Sequence, residues 1–423
     1  MNWTRREFIR NSAIAAAGMS VSSPLFGAGK IVPKAPAANE KVVVVVNLYG
    51  GNDGINTVIP LSATEYNAYQ SLRSTLAYDQ AQILALNGTP DFGLNPGMTG
   101  FQSLYNQGKL AIISGVGVPQ SASGLFDHEA GQYEFQSCDI VRSGTIQPTG
   151  WLGRYVDSVP EGQISAGIDL GGGRLILTGN NKQPVSIYTV DDFQLQVSSW
   201  GGDEDARRTA YQNIMNAGPI VDSPVAEQNR QYRVSALQQS AVLQAAVSTY
   251  QTAPGVTYPD TWLGYQMREA AKIIYGNVGA RAITLGTGGY DTHSGQDSGG
   301  YHAGLLQEVS DAVSAFYADL VGLGLSNRVL ILTISEFGRR AYENTDAGTD
   351  HGFASVAFAL GDMVSGGNVY GTYPSLQDQF LVFDGNIDMT TDFRSFYSTV
   401  AANFLNADPV PIVGGNFPLM NFV

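Results

Sequence analysis

The chain has 423 residues, 43% of them hydrophobic, and a formal net charge of −14, enough length and apolar content for one large domain or two ordinary ones. The acidic balance excludes nucleic acid and anionic membrane as main partners, because both favour a basic surface. The single cysteine, Cys138, excludes an intrachain disulfide and reads as a buried thiol.

At the amino terminus, Thr4-Arg5-Arg6-Glu7-Phe8-Ile9-Arg10 places paired arginines shortly before a phenylalanine, and a modestly apolar run follows over 13–21. This reads as a twin-arginine export signal. The apolar run is too short to stay as a transmembrane anchor. Small residues allow cleavage near Gly27-Ala28-Gly29 or Ala35-Pro36-Ala37, so 1–37 is the signal, with its end between 28 and 37. Residues 38–423 show no repeat or linker and read as one domain. The expected partner during export is the twin-arginine translocase, and the destination is the periplasm, the cell surface or the medium. That route carries folded proteins, often with a cofactor already bound, which raises the expectation of a metal.

After Lys41, five valines over 42–46 predict a strand buried on both faces, as in the middle of a parallel sheet. Gly50-Gly51-Asn52-Asp53-Gly54 follows at once. Glycines around an acid let the backbone approach whatever the acid holds, although the same residues also make plain turns. A helix over 100–106 leads into a strand over 110–116. Asp127-His128-Glu129 starts a helix running to Cys138, and His128 reads as a ligand or as a helix-start residue. Trp151-Leu152-Gly153-Arg154-Tyr155 starts another helix. The glycine-rich stretch 167–179, with a short strand over 175–177, lacks a phosphate-loop lysine and dinucleotide spacing, so nucleotide binding is rejected. Helices are predicted over 203–216, 226–250 and 259–275.

The stretch 281–352 organises the chain. A strand over 282–287 ends in Gly288-Gly289-Tyr290-Asp291-Thr292-His293. A helix over 301–323 carries Leu305, Leu306, Val309, Ala312, Val313, Phe316, Tyr317 and Leu320 on one stripe. A second strand over 329–334 ends in Ser335-Glu336-Phe337-Gly338-Arg339-Arg340, and Thr349-Asp350-His351-Gly352 closes the segment. Strand, helix, strand makes a right-handed unit whose strand ends open on one sheet edge, where ligands of open α/β sheets bind. Strands over 356–360 and 380–383 and a helix over 392–405, with Phe396, Val400 and Phe404 on one face, complete the chain. The class is α/β.

Asp53, His128, Asp291, His293, Glu336, Asp350 and His351 all fall just past strand ends or beside them. Carboxylates with imidazoles suit zinc, manganese or magnesium. Two such metals would stabilise the attacking and leaving oxygens of a phosphoryl or sulfuryl transfer. Arg339 or Arg340 could clamp an anionic ester through its planar fork. Plain structural roles compete: an ion pair of Glu336 with Arg339 or Arg340, a turn cap at Asp291, a hydrogen-bonded loop at Asp350-His351.

Together the motifs around Asp53, Asp291, Glu336 and Asp350 resemble the bacterial family of unknown function DUF1501, whose members commonly carry a twin-arginine signal. The segment Trp151–Tyr155 looks like that family too. The family is grouped with the alkaline phosphatase-like and sulfatase-like superfamily. The resemblance implies a three-layer α/β/α sandwich with a largely parallel central sheet, acting as a metal-dependent hydrolase of phosphate or sulfate esters. It implies a divalent metal, zinc first, with manganese, magnesium or calcium as alternatives, and a small anionic ester as substrate. Asp53 resembles the acid after the first strand, and Asp291 and His293 resemble the pair on one metal. Either Asp350-His351-Gly352 matches the superfamily's Asp-His-Gly, or Glu336 takes that acid's place and His351 matches the last histidine. The second alignment is preferred because the acid then follows its strand directly; it puts Phe337 where a metal-binding histidine would stand. The implied metal set is Asp53, Asp291, His293, Glu336, Asp350 and His351. Relatives show Ser-His-Phe where this chain has Asp127-His128-Glu129. That puts Asp127 at the nucleophile position, unless Ser121 or Ser123 replaces it, with His128 and Arg339 completing the catalytic set. Cys138 and Arg142 are spaced as in the sulfatase maturation pattern, but Ile140 replaces its proline, so that reading is rejected. The alternative function is a catalytically inactive exported protein that keeps the fold and binds a metal or ligand.

Overall fold

The valine run forms the first strand, β1 (Val42–Leu48). Val42, Val44 and Val46 enter one hydrophobic core, and Val43 and Val45 enter another. Successive side chains of a strand point to opposite faces, so an unbroken apolar run marks a strand covered on both sides. The computed structural model describes residues 40–119, 126–140, 148–160, 162–195, 197, 201–220 and 222–423. The export signal read in 1–37, and Ser121, Ser123 and Arg142, lie outside the described residues.

The other strands of the central sheet are β2 (Leu110–Gly117), β3 (Gly167–Asp169), β4 (Val185–Ser186), β5 (Ala282–Thr287), β6 (Val329–Ile334), β7 (Ala354–Leu360), β8 (Val369–Tyr370) and β9 (Thr391–Asp392). Their order is β8-β2-β7-β6-β1-β5-β3-β4, and β9 also pairs with β2. Only β7 runs antiparallel to its neighbours. The sheet is therefore largely parallel. Helices Thr99–Asn106, Trp262–Gly276 and Tyr301–Gly322 bury Phe101, Met267 and Phe316 in the core that takes Val44. Helices Trp151–Ser158 and Phe393–Thr399 bury Trp151 and Phe396 in the core that takes Val43. This is the expected three-layer α/β/α sandwich.

The unit β5, helix Tyr301–Gly322, β6 forms as expected, with β1 inserted between its two strands. The carboxyl ends of β5, β1 and β6 are therefore neighbours, and the loops after them meet on one edge. Two expectations fail. Residues 175–177 form a 3₁₀ turn, closed by Leu177 N–H to Arg174 O at 3.1 Å and Thr178 N–H to Leu175 O at 2.9 Å; the strand is Gly167–Asp169. Three apolar residues carry too little periodicity to separate strand from buried turn. Residues 380–383 pass through two 3₁₀ turns, with Phe380 57% and Phe383 72% exposed, because no sheet edge receives them. The closing helix continues past Thr399 as a π-helical turn, Val400–Phe404, and buries Phe396, Val400 and Phe404 as the pattern required. Among the described residues no helix is long and apolar enough to cross a membrane.

Candidate metal centre

The loop after β1 touches both neighbouring loops. Gly50 N–H donates to Glu336 Oε1 at 2.7 Å, Asn52 N–H to Ser335 Oγ at 2.8 Å, and Tyr290 N–H to Tyr49 O at 3.2 Å. Gly50 has φ 121°, and a Cβ there would lie 2.3 Å from Asp291 N. Gly51 has φ 78°, and its Cβ would lie 2.2 Å from the Phe337 ring. Both positions need glycine for conformation and for space.

Arg339 is fully buried beneath these loops. Its Nε donates to Gly51 O at 2.7 Å and its Nη1 to Thr349 O at 2.7 Å. Its Nη2 reaches Tyr290 O at 2.9 Å, Asp291 Oδ1 at 2.8 Å and also Gly50 O. One guanidinium thus ties the loops after β1 and β5 to the segment leading to His351.

Above Arg339, three imidazoles face one carboxylate. Asp291 Oδ1 is 3.1 Å from His293 Nε2 and 3.1 Å from His351 Nε2, and Asp291 Oδ2 is 3.4 Å from His128 Nε2. His293 Nε2 and His351 Nε2 are 2.9 Å apart. Ligand atoms of His128, Asp291 and His351 lie within 4.8 Å of one another. Each imidazole is held from behind. His351 Nδ1 is 2.8 Å from Phe126 O, His293 Nδ1 is 3.0 Å from Asp350 Oδ1, and His128 Nδ1 is 3.0 Å from Glu336 Oε1. A carbonyl or carboxylate oxygen only accepts, so each Nδ1 donates to the oxygen behind it, and a ring in its neutral form then has its Nε2 lone pair on the side of Asp291. Burial lowers the His351 pKa and favours its neutral form. For Asp291, burial is the largest single effect and acts upward, but the hydrogen bonds from Arg339 and His351 and the nearby charges together outweigh it and hold the carboxyl well below the usual range. In that neutral form the Nε2 lone pairs face each other and an anion, and a cation among them turns repulsion into coordination. Imidazole nitrogens with one carboxylate are donors that suit zinc, and the acceptors behind Nδ1 are the outer partners that metal-bound histidines have. The donor set fits a divalent metal, which His128, Asp291 and His351 can hold with His293 adjoining.

The sequence candidates separate into groups. His128, Asp291, His293 and His351 come together. Glu336, 4% exposed, and Asp350 stand behind histidines. Asp53 is fully buried away from the imidazoles: its Oδ1 accepts from Ile55 N–H at 3.1 Å and Asn56 N–H at 3.3 Å, and its Oδ2 from Gln296 at 2.6 Å and from Arg73. Burial alone would raise the Asp53 pKa; the Arg73 guanidinium, with His302 and the Gln296 hydrogen bond, outweighs this and lowers it. Asp127 caps helix His128–Ser137, its Oδ1 taking Ala130 N–H at 2.7 Å. Arg339, read as an anion clamp, directs its fork at backbone carbonyls and Asp291. Arg340 instead reaches the rim, 5.9 Å from the centroid of the Phe126 ring and paired with the exposed Asp384. Glu336 pairs with neither arginine. Sequence reasoning passed over Arg73, Gln296 and the Phe126 carbonyl, none of which has a local sequence signal.

Residues 220–402 match the family model described as "Protein of unknown function (DUF1501)". That segment is less than half of the chain; it contains Asp291, His293, Glu336, Arg339, Asp350 and His351 but not Asp53, Asp127 or His128. No curated protein matches the sequence. Similar solved structures include the PsFucS1 sulfatase from Pseudoalteromonas sp., with TM-score 0.36 and 13% identity over 81% of this chain and 66% of that one. The lipoteichoic acid synthase LtaP from Listeria monocytogenes gives TM-score 0.36 and 9% identity over 86% and 78%. Ps i-CgsB gives TM-score 0.38 and 9% identity over 89% and 75%. This chain spans just under two thirds of the length of the PsFucS1 sulfatase.

Proposed function

We propose that this chain is an exported, metal-dependent hydrolase of phosphate or sulfate esters, a single alkaline phosphatase-like domain following a twin-arginine signal that brings it through the translocase to the periplasm or beyond. The observation that carries the metal reading is the meeting of three imidazole Nε2 atoms at Asp291, each ring held from behind at Nδ1. His128, Asp291 and His351 would hold one divalent metal, zinc by its donor set, with His293 at its side. When bound, the metal supplies a Lewis acid that polarises an ester oxygen and offsets charge developing there.

The chain's own groups do the rest. Glu336, Asp350 and the Phe126 carbonyl keep the three rings in the Nδ1–H tautomer. Arg339 keeps Asp291 ionised and aimed. Arg340, at the rim, offers the planar fork that an anionic ester needs. Asp127 uses one carboxylate oxygen as a helix cap, and the other is available as nucleophile or as base for an attacking water. Asp53 takes no part as a ligand and acts as a buried anchor.

A second reading, a metal-binding protein without turnover, is favoured by one observation: Arg339 has its fork turned to backbone carbonyls. The test is release of product from aryl phosphate and aryl sulfate with zinc or manganese. The hydrolase reading expects turnover that a chelator abolishes and His351→Ala removes. Protein that keeps its metal but releases nothing from either ester, with any divalent metal, leaves only the second reading.

A further inference from the structure

Beneath the metal centre lies a buried amide that the proposed chemistry has not used. Gln296 is fully buried. Its Oε1 accepts from Thr292 Oγ1 at 2.9 Å and from Thr349 Oγ1 at 2.6 Å, and its Nε2 donates to Asp53 Oδ2 at 2.6 Å. Thr292 sits between Asp291 and His293. Thr349 sits beside Asp350, two residues before His351. The two loops also share one backbone bond, Thr349 N–H to Thr292 O at 3.0 Å. A single side-chain carbonyl therefore joins the two loops that bring Asp291 and His293 to His351.

Asp53 decides which way that amide points. A carboxylate only accepts, so the amide must present its NH₂ to Asp53 and its oxygen to the two hydroxyls. Asp53 is ionised in turn because Arg73 pairs with it. Turned the other way, the amide would meet the carboxylate with its oxygen and leave two buried hydroxyls without their acceptor.

We propose that Gln296, oriented by the Asp53–Arg73 pair, is a positioning residue that sets the separation of the Asp291–His293 and Asp350–His351 loops for metal binding. This inference rests on the metal reading above. It gives the acid after the first strand a different role, since the carboxyl that the family resemblance makes a ligand acts here through an amide, one layer below.

Zinc affinity, by competition with a chromophoric chelator, and the visible spectrum of the cobalt(II) form test this in the mature chain and three variants. Thr349→Val removes one hydroxyl at nearly constant volume, Thr349→Ser keeps it, and Thr292→Val removes the partner hydroxyl from the other loop. Loss of an outer partner of a metal site costs about 10–100-fold in affinity. The expected result is a loss of about that size and a shifted cobalt spectrum in both Val variants, wild-type affinity in Thr349→Ser, and unfolding midpoints of the metal-free proteins that stay together. If one Val variant fails to fold, the other carries the test. Zinc affinity and cobalt spectrum unchanged in a folded Val variant would overturn the inference. So would equal losses in Thr349→Ser and Thr349→Val, which would trace the effect to packing. A wild-type chain that binds no zinc would instead overturn the metal reading, and this inference with it.

Discussion

Replacing Arg73 by methionine should be among the most costly single changes near the site. Arg73 and Asp53 are both fully buried and form an ion pair. Arg73 also donates to Asn56 Oδ1 at 2.9 Å, to Ala341 O at 3.0 Å and to Arg340 O at 2.9 Å. Removing one partner of a buried pair leaves an uncompensated charge, a loss of about 3–5 kcal/mol. Asp53→Asn removes that charge while keeping one acceptor oxygen for the helix cap. In a double-mutant cycle the two positions should show a coupling of roughly 1–3 kcal/mol. Reversible urea unfolding followed by circular dichroism measures both. The sign with pH is also set. The folded Asp53 pKa is depressed, so its contribution is fully present above the unfolded value of about 3.9 and is lost as pH falls through the folded value. A loss below about 1 kcal/mol for Arg73→Met, with no coupling to Asp53→Asn, would refute the reasoning, since an exposed pair gives no more than that.

His302 is fully buried, with Nε2 3.2 Å from Asn52 Oδ1 and no partner for Nδ1 among the described residues. Burial lowers its pKa, so its contribution to stability is complete above the unfolded value of about 6.5 and is lost as pH falls through the depressed folded value. The difference in unfolding free energy between wild type and His302→Gln should therefore shrink on acidification, by at most about 1.4 kcal/mol per pH unit. Cys138 is buried and its thiol is pushed up to about 12 by desolvation; a thiol reagent at pH 8 should leave it unmodified in the native protein and label it on unfolding. Gly50→Ala should lower stability by about 1–3 kcal/mol and separate the loops after β1 and β5, seen in urea unfolding and in faster amide exchange at Asp291.

Much of the architecture was legible because its signals are local and strong. The valine run can only be a doubly covered strand, and the stripe from Leu305 to Leu320 places one helix between two short apolar runs. Right-handed crossover then puts both loops on one edge. The site was legible at its centre for the same reason, since Asp291, His293 and His351 follow from strand ends. Its periphery was not. Arg73 pairs with Asp53 across 20 residues of chain, and Gln296 reaches Asp53 across 243; no periodicity encodes either meeting. His128 could be placed at a helix start, but only the fold turns that start toward Asp291. Arg339 looked like a clamp because an exposed and a buried guanidinium are identical in sequence, and burial gave it backbone carbonyls as partners. The strands expected at 175–177 and 380–383 fail because a short apolar run does not state whether a sheet edge awaits it.

Metal content tests the central claim most directly. Residues 38–423, expressed without chelator and loaded with zinc, should carry about one metal per chain, as three protein donors with one open position take one ion. The His128→Ala, His351→Ala double variant should fold and carry none. A well-folded wild type without metal after zinc and manganese loading, or a double variant that retains it, would contradict the account.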